Sequence, residues 1–212
     1  MADSDGDPAT PALDPEGPWR VTIDYTRLNV AAVCTQGGGA PPFLGNALRG
    51  AFGHALRRLG CCSGCRQERH ATDCAYAPIF EPAPHPDTLL KGQRSVAPPF
   101  IFAPSAKGPV RWTPKHPLHF DWVLLGPAFS HAPLLLEALH HALADGLGSQ
   151  NPARFALRTA HAVNGEGCCL LYTRDEAGGK AGLNLGLCCR SRLLLQVPTG
   201  GAGPSWRGAG LR

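Results

Sequence analysis

An α+β fold in the order strand, helix, strand, strand, helix, strand is predicted by three features of the sequence. Two segments repeat apolar residues near a 3.6-residue period, four short apolar segments alternate or are β-branched, and nothing after residue 164 amounts to a second core. This is the βαββαβ, ferredoxin-like arrangement, which RNA-recognition modules share. Many functions use it, so the fold alone selects none.

Residues 1–18 carry five carboxylates, no base and no apolar periodicity, and read as a disordered acidic leader. The domain is expected over 19–163. Its first strand lies in "WRVTIDYTRLNVAAV", followed by the loop "CTQGGGAPPF". Apolar residues at 44, 47, 48, 51, 52, 55, 56 and 59 then predict an amphipathic helix over 43–60. Gly45, Gly50 and Gly53 lie in or at the start of it, although each interior glycine costs about 1 kcal/mol relative to alanine. They fall mostly on the polar side with Asn46, Arg49 and Arg57, where bare backbone admits a ligand or another chain; helix packing explains them equally well. A cysteine-containing loop is inserted next. "VAPPFIFAP" and "LHFDWVLLG" predict two strands joined through 109–117. "PLLLEALHHALADGLG" predicts a helix over 132–145 closed by Gly146, and "ARFALRTAHAV" a fourth strand with Phe155, Leu157, Thr159 and His161 on one face. Residues 164–212, rich in Gly and Cys, read as a poorly ordered tail with room for one or two strands.

Composition bounds the function classes. With 26 glycines and 21 prolines, much of the chain is turn or unfolded. A net charge of +4 permits a nucleic-acid partner without requiring one. The acidic start has no secretory pattern and no run suits a membrane span, so a soluble, cytoplasmic protein is expected. In a reducing compartment the nine cysteines read as metal ligands or buried thiols. Cys61, Cys62, Cys65 and Cys74 form C-C-x2-C-x8-C, and CxxC is the usual half-site for tetrahedral zinc. Adjacent Cys61 and Cys62 make awkward joint ligands, and His70 could replace one. A structural ion, zinc ahead of an iron–sulfur cluster, is weighed against a loop of reduced thiols. Cys168, Cys169, Cys188 and Cys189 in the tail are assigned nothing.

The run "LGNALRGAFGHALRRLGC", then "CSGC", "CAYAPIFEP", "PPFIFAP", a strand ending "LLG", and "ALADGLG" before a final strand resembles one family over residues 19–163. That family is the CRISPR-associated endoribonucleases of the RAMP superfamily, which process precursor CRISPR RNA. The resemblance implies metal-independent cleavage within CRISPR repeat RNA by attack of a 2′-hydroxyl, leaving a 2′,3′-cyclic phosphate and a 5′-hydroxyl. It points to His54 as the proton-transfer residue, since an imidazole gives or takes a proton near neutrality. Arg49, Arg57, Arg58 and Lys91 are candidate RNA contacts by position, with Arg66, Arg69 and Arg94 nearby. Tyr76 and Phe80 are candidate stacking partners, though such aromatics are more often core. The alternative is a non-catalytic RNA-binding subunit working with other CRISPR effector subunits. Members carry a second ferredoxin-like half ending in a glycine-rich loop; here 164–212 reads as its remnant or as an out-of-frame replacement.

Overall fold

The computed structural model describes residues 19–39, 41–62, 65, 70–71, 74–84, 96–105, 111–148, 151–164, 167–174, 180–181 and 191–197. The expected leader lies outside them, as does most of the tail beyond 174. Two compact units divide the chain, residues 24–192 and the pair of terminal segments 1–23 and 193–212.

The unit over 24–192 holds the sheet and its helices. Strands β1 (Trp19–Gln36), β3 (Phe100–Pro104), β5 (Pro117–Leu125) and β6 (Arg154–Asn164) alternate with helices α1 (Leu44–Gly60) and α3 (Ala132–Asp145) in the predicted order. Neighbours in the sheet run β3-β5-β1-β6, each pair antiparallel, which is the ferredoxin-like order. The sheet continues past β6 into β7 (Gly167–Arg174) and β8 (Lys180–Ala181). Leu171 and Tyr172 of β7 are buried, so the segment after 164 contributes to the core. In the terminal unit, the first residues of β1 and part of β9 (Ser191–Val197) are strand.

Alternation sets the buried face. Leu28, Val30, Ala32 and Cys34 of β1 and Leu118, Phe120, Trp122 and Leu124 of β5 all point inward. In β6 the expected face changes part-way. Phe155 and Leu157 are buried as predicted, but Ala160 and Ala162 follow them, not Thr159 and His161. The cause is a bulge: Ala31 pairs with Thr159 and Ala32 with Leu157, leaving Arg158 as the extra residue and inverting the phase beyond it.

Phe52 of α1 anchors the core with its ring edge-on to Phe100, Phe102 and Trp122, at centroid distances of 5.2, 5.4 and 5.3 Å. From α3, Leu135, Leu136, Leu139 and Leu143 are buried. The connection read from sequence as a plain hairpin loop contains β4 (Arg111–Trp112), which pairs with β2 (Gly38–Gly39). This ribbon carries Trp112 into the core, edge-on to Phe155 at 5.1 Å. Within the cysteine insertion a single turn, α2 (Ala77–Phe80), packs Ile79 inward. Among the described residues no helix is long and apolar enough to cross a membrane.

Candidate functional site

Helix α1 has two working faces. Its buried face carries Leu48, Phe52, Ala55 and Leu56, and also Gly53, which the helical pattern assigned to the polar side. The correction has a steric reason: a Cβ on Gly53 would stand 2.3–2.9 Å from three carbons of the Phe80 ring. Gly53 is therefore the seat for α2. Gly50 is the opposite case, exposed and with open space where its Cβ would be. Gly50→Ala is accordingly expected to stabilise the chain by up to about 1 kcal/mol through helix propensity; urea unfolding of the variant checks this.

Gly50 and His54 line an open cleft of about 530 Å³ together with Phe43, Asn46, Gly146 and Gly148. On its other side His54 joins Arg57, Arg58 and Cys61 around a second cleft of about 490 Å³. His54 is exposed, and among the described residues its side chain has no hydrogen-bond or ion-pair partner.

The candidate cations are distributed around this position. Arg58 is bound to Asp145 at the end of α3. Arg57 lies 6.0 Å from the centre of the Tyr76 ring and Arg49 lies 5.7 Å from that of Phe80, both at cation–π range. Tyr76 is buried and its ring stacks at 5.4 Å on Phe80, which is half-buried against the core, so both rings serve packing as well as contact with the arginines. Lys91, Arg66, Arg69 and Arg94 lie outside the described residues. Sequence reasoning missed Phe43. It precedes the helix, is 73% exposed and edges the first cleft. Its signal was position: an aromatic just outside the apolar periodicity has no core place to fill.

The second cluster forms where α1 ends. Cys61, Cys65, His70 and Cys74 bring one donor atom each to within 4.8 Å of one another, a group that can hold a metal ion. Three of the four predicted cysteines are in it, with His70 as the fourth member; the Cys62 sulfur lies beside the group, 3.4 Å from that of Cys65. His70 Nδ1 faces Cys74 Sγ at 3.3 Å and Cys61 Sγ at 3.9 Å. Its other nitrogen, Nε2, is 3.2 Å from Glu81, whose second carboxylate oxygen accepts the Tyr76 hydroxyl at 2.8 Å. The Tyr76 hydrogen bond holds Glu81 below the usual carboxylate range, with His70 adding to it against burial. Burial and the bond to Glu81 push the Tyr76 hydroxyl up. Burial also acts to raise the Cys74 thiol, but the amides of Ala77 and Tyr76, Cys65 and His70 outweigh it and bring it down to about 7.

The protein family described as AF_1859_N, N-terminal domain, matches residues 22–181. The chain belongs to the AF_1859_N family. The matched span includes His54, both clefts, the Cys–His group, β7 and β8, so the AF_1859_N domain reaches past residue 164. No curated protein matches it. Among solved structures, the domain is similar to the Csm3–Csm4 subcomplex in the type III-A CRISPR–Cas interference complex, with 17% identity and a TM-score of 0.42. That alignment covers 71% of this chain and 82% of the other.

Proposed function

We propose that the chain binds CRISPR repeat RNA on the exposed face of α1 and cleaves it without a catalytic metal, with His54 transferring the proton. The observation that carries this reading is the exposed imidazole of His54 between two clefts, with Gly50 bare one turn before it and guanidinium groups beside it. The resemblance of "LRGAFGHALRRL" to the precursor-CRISPR-RNA endoribonucleases supplies the substrate class. In the reaction the 2′-oxygen bonds to phosphorus and the bond to the 5′-oxygen breaks. His54 either takes the 2′-hydroxyl proton or delivers one to the departing 5′-oxygen. Arg57 stabilises charge developing on the phosphoryl oxygens. Phe43 offers an exposed ring on which a base can stack. In the same reading the Cys–His group supports the fold and takes no part in the chemistry, and its ion is zinc.

The test is a gel assay of the purified chain with repeat RNA from its source genome, in EDTA, beside a repeat carrying a 2′-deoxy at the cleavage site. Cleavage of the first RNA and none of the second is expected. A chain that leaves both intact, in EDTA and equally in buffer without chelator or added divalent ions, overturns cleavage. Phe43→Ala is expected to weaken binding of the 2′-deoxy repeat by about 1–3 kcal/mol, read by filter binding. The binding constant should fall steeply with salt, because phosphate contacts release counterions.

A second reading, a non-catalytic RNA-binding subunit of a CRISPR effector complex, is favoured by two features. Arg58 is already paired with Asp145, and no described group orients the imidazole. A shifted but uncut band in the same assay selects it.

A further inference from the structure

We infer that the chain holds a single zinc ion through Cys61 Sγ, Cys65 Sγ, His70 Nδ1 and Cys74 Sγ, with Cys62 outside the coordination shell. This rests on the zinc part of the reading above and is independent of RNA.

The separations fit one tetrahedral ion. With Zn–S near 2.3 Å and Zn–N near 2.0 Å, the edges of the tetrahedron are about 3.5–3.8 Å. The Cys74–His70 and Cys61–His70 distances, 3.3 and 3.9 Å, lie either side of that range. All four donors fall within 4.8 Å of one another. An iron–sulfur cluster shares its thiolates among several irons and spreads them more widely. The donor set is three soft thiolates and one imidazole, the Cys3His type found in closed structural zinc sites.

Backbone geometry distinguishes the two adjacent cysteines. Cys61 closes α1, its N–H donating to the Arg57 carbonyl, and its sulfur faces His70. Cys62 instead supplies its carbonyl to the Cys65 N–H at 3.2 Å, a bond that ties Cys65 to the end of α1. The Cys62 sulfur is close to one member of the group, 3.4 Å from Cys65 Sγ, but it falls outside the set of four donors that all lie within 4.8 Å of one another, whereas Cys61 Sγ is inside it. The Ala71 N–H also donates to Cys65 Sγ at 3.4 Å. Such backbone bonds to sulfur are common around thiolate ligands.

The outer layer matches as well. A histidine that binds metal through Nδ1 needs its proton on Nε2, and here Nε2 has Glu81 to donate to, while Tyr76 holds the far carboxylate oxygen. This chain of contacts fixes both tautomer and ring orientation. His70 is only 13% exposed, so water does not substitute freely for these partners.

Elemental analysis of the full chain purified with zinc should give one equivalent. Cobalt(II) in its place should show tetrahedral ligand-field bands and thiolate charge transfer scaled to three sulfurs. Cys62→Ser should keep one equivalent and that spectrum, whereas Cys61→Ser should lower cobalt affinity at least tenfold. Thiol alkylation with peptide mapping avoids variants that fail to fold. In the wild-type chain Cys61, Cys65 and Cys74 should be protected until a chelator is added, while Cys62 reacts at the same rate before and after. No zinc and no tetrahedral cobalt spectrum in the wild-type chain overturns the zinc reading altogether. An ion that binds the wild-type chain but is lost in Cys62→Ser, or that protects Cys62 in place of Cys61, overturns the ligand assignment alone.

Discussion

His54→Ala should slow cleavage of repeat RNA by about 10²–10⁴-fold while leaving affinity for the 2′-deoxy repeat within about twofold. The size of the first effect follows from what a positioned general acid or base contributes. The second follows from the place of His54 on α1. It is exposed, it packs against nothing in the core, and the groups expected to meet phosphate are its neighbours. Stability should hardly move, because surface substitutions of this kind stay within about 0.5 kcal/mol. Single-turnover cleavage, filter binding and thermal unfolding on one preparation separate the three quantities. Equal cleavage rates for variant and wild type would remove His54 from the chemistry. A parallel loss of affinity and melting temperature would make it a structural residue.

The parts of this fold visible in the sequence were those set by local periodicity. Leu48, Phe52 and Leu56 repeat at helical spacing, and Leu118, Phe120, Trp122 and Leu124 at strand spacing, so α1 and β5 could be read directly. What could not be read depends on residues distant in sequence. The bulge at Arg158 is set by pairing with Ala31 and Ala32 and leaves no local mark. The Arg58–Asp145 pair joins residues on two helices, so spacing within α1 gave Arg58 no different standing from Arg57. The metal-capable group shows the boundary most sharply. C-C-x2-C-x8-C located the cluster and offered His70 as a substitute, but which of the sulfurs gather with His70 is set by the way the chain leaves α1. The Glu81–Tyr76 support lay beyond any motif, because each residue has other ordinary roles.

Gly53 is the other place where a local rule gave way to a distant residue, and it carries the largest expected effect on stability. Gly53→Ala should destabilise the chain by about 2 kcal/mol, although alanine is the better helix former. Two terms oppose each other. Helix propensity favours alanine by about 1 kcal/mol. Overpacking opposes it by about 1–3 kcal/mol or more, and here the upper end applies, since the new methyl would stand 2.3 Å from a Phe80 ring carbon. The ring must move by more than an ångström (~1 Å) to restore ordinary contact. It has little room to do so: Tyr76 stacks on it at 5.4 Å, Phe100 lies at 6.0 Å, and Arg49 sits over its face. The decisive comparison is a double-mutant cycle read by urea unfolding. In a Phe80→Ala background the clash partner is gone, only the propensity term remains, and Gly53→Ala should become stabilising. That reversal of sign assigns the glycine to the packing of α2 against α1. A Gly53→Ala that stabilises both backgrounds would show instead that Phe80 does not rest on Gly53 in solution. The α2 turn also carries the Tyr76 hydroxyl to Glu81, so the same displacement should loosen the support of His70. Gly53→Ala is therefore expected to lower cobalt affinity as well, linking the bare position in the helix to the cluster that follows it.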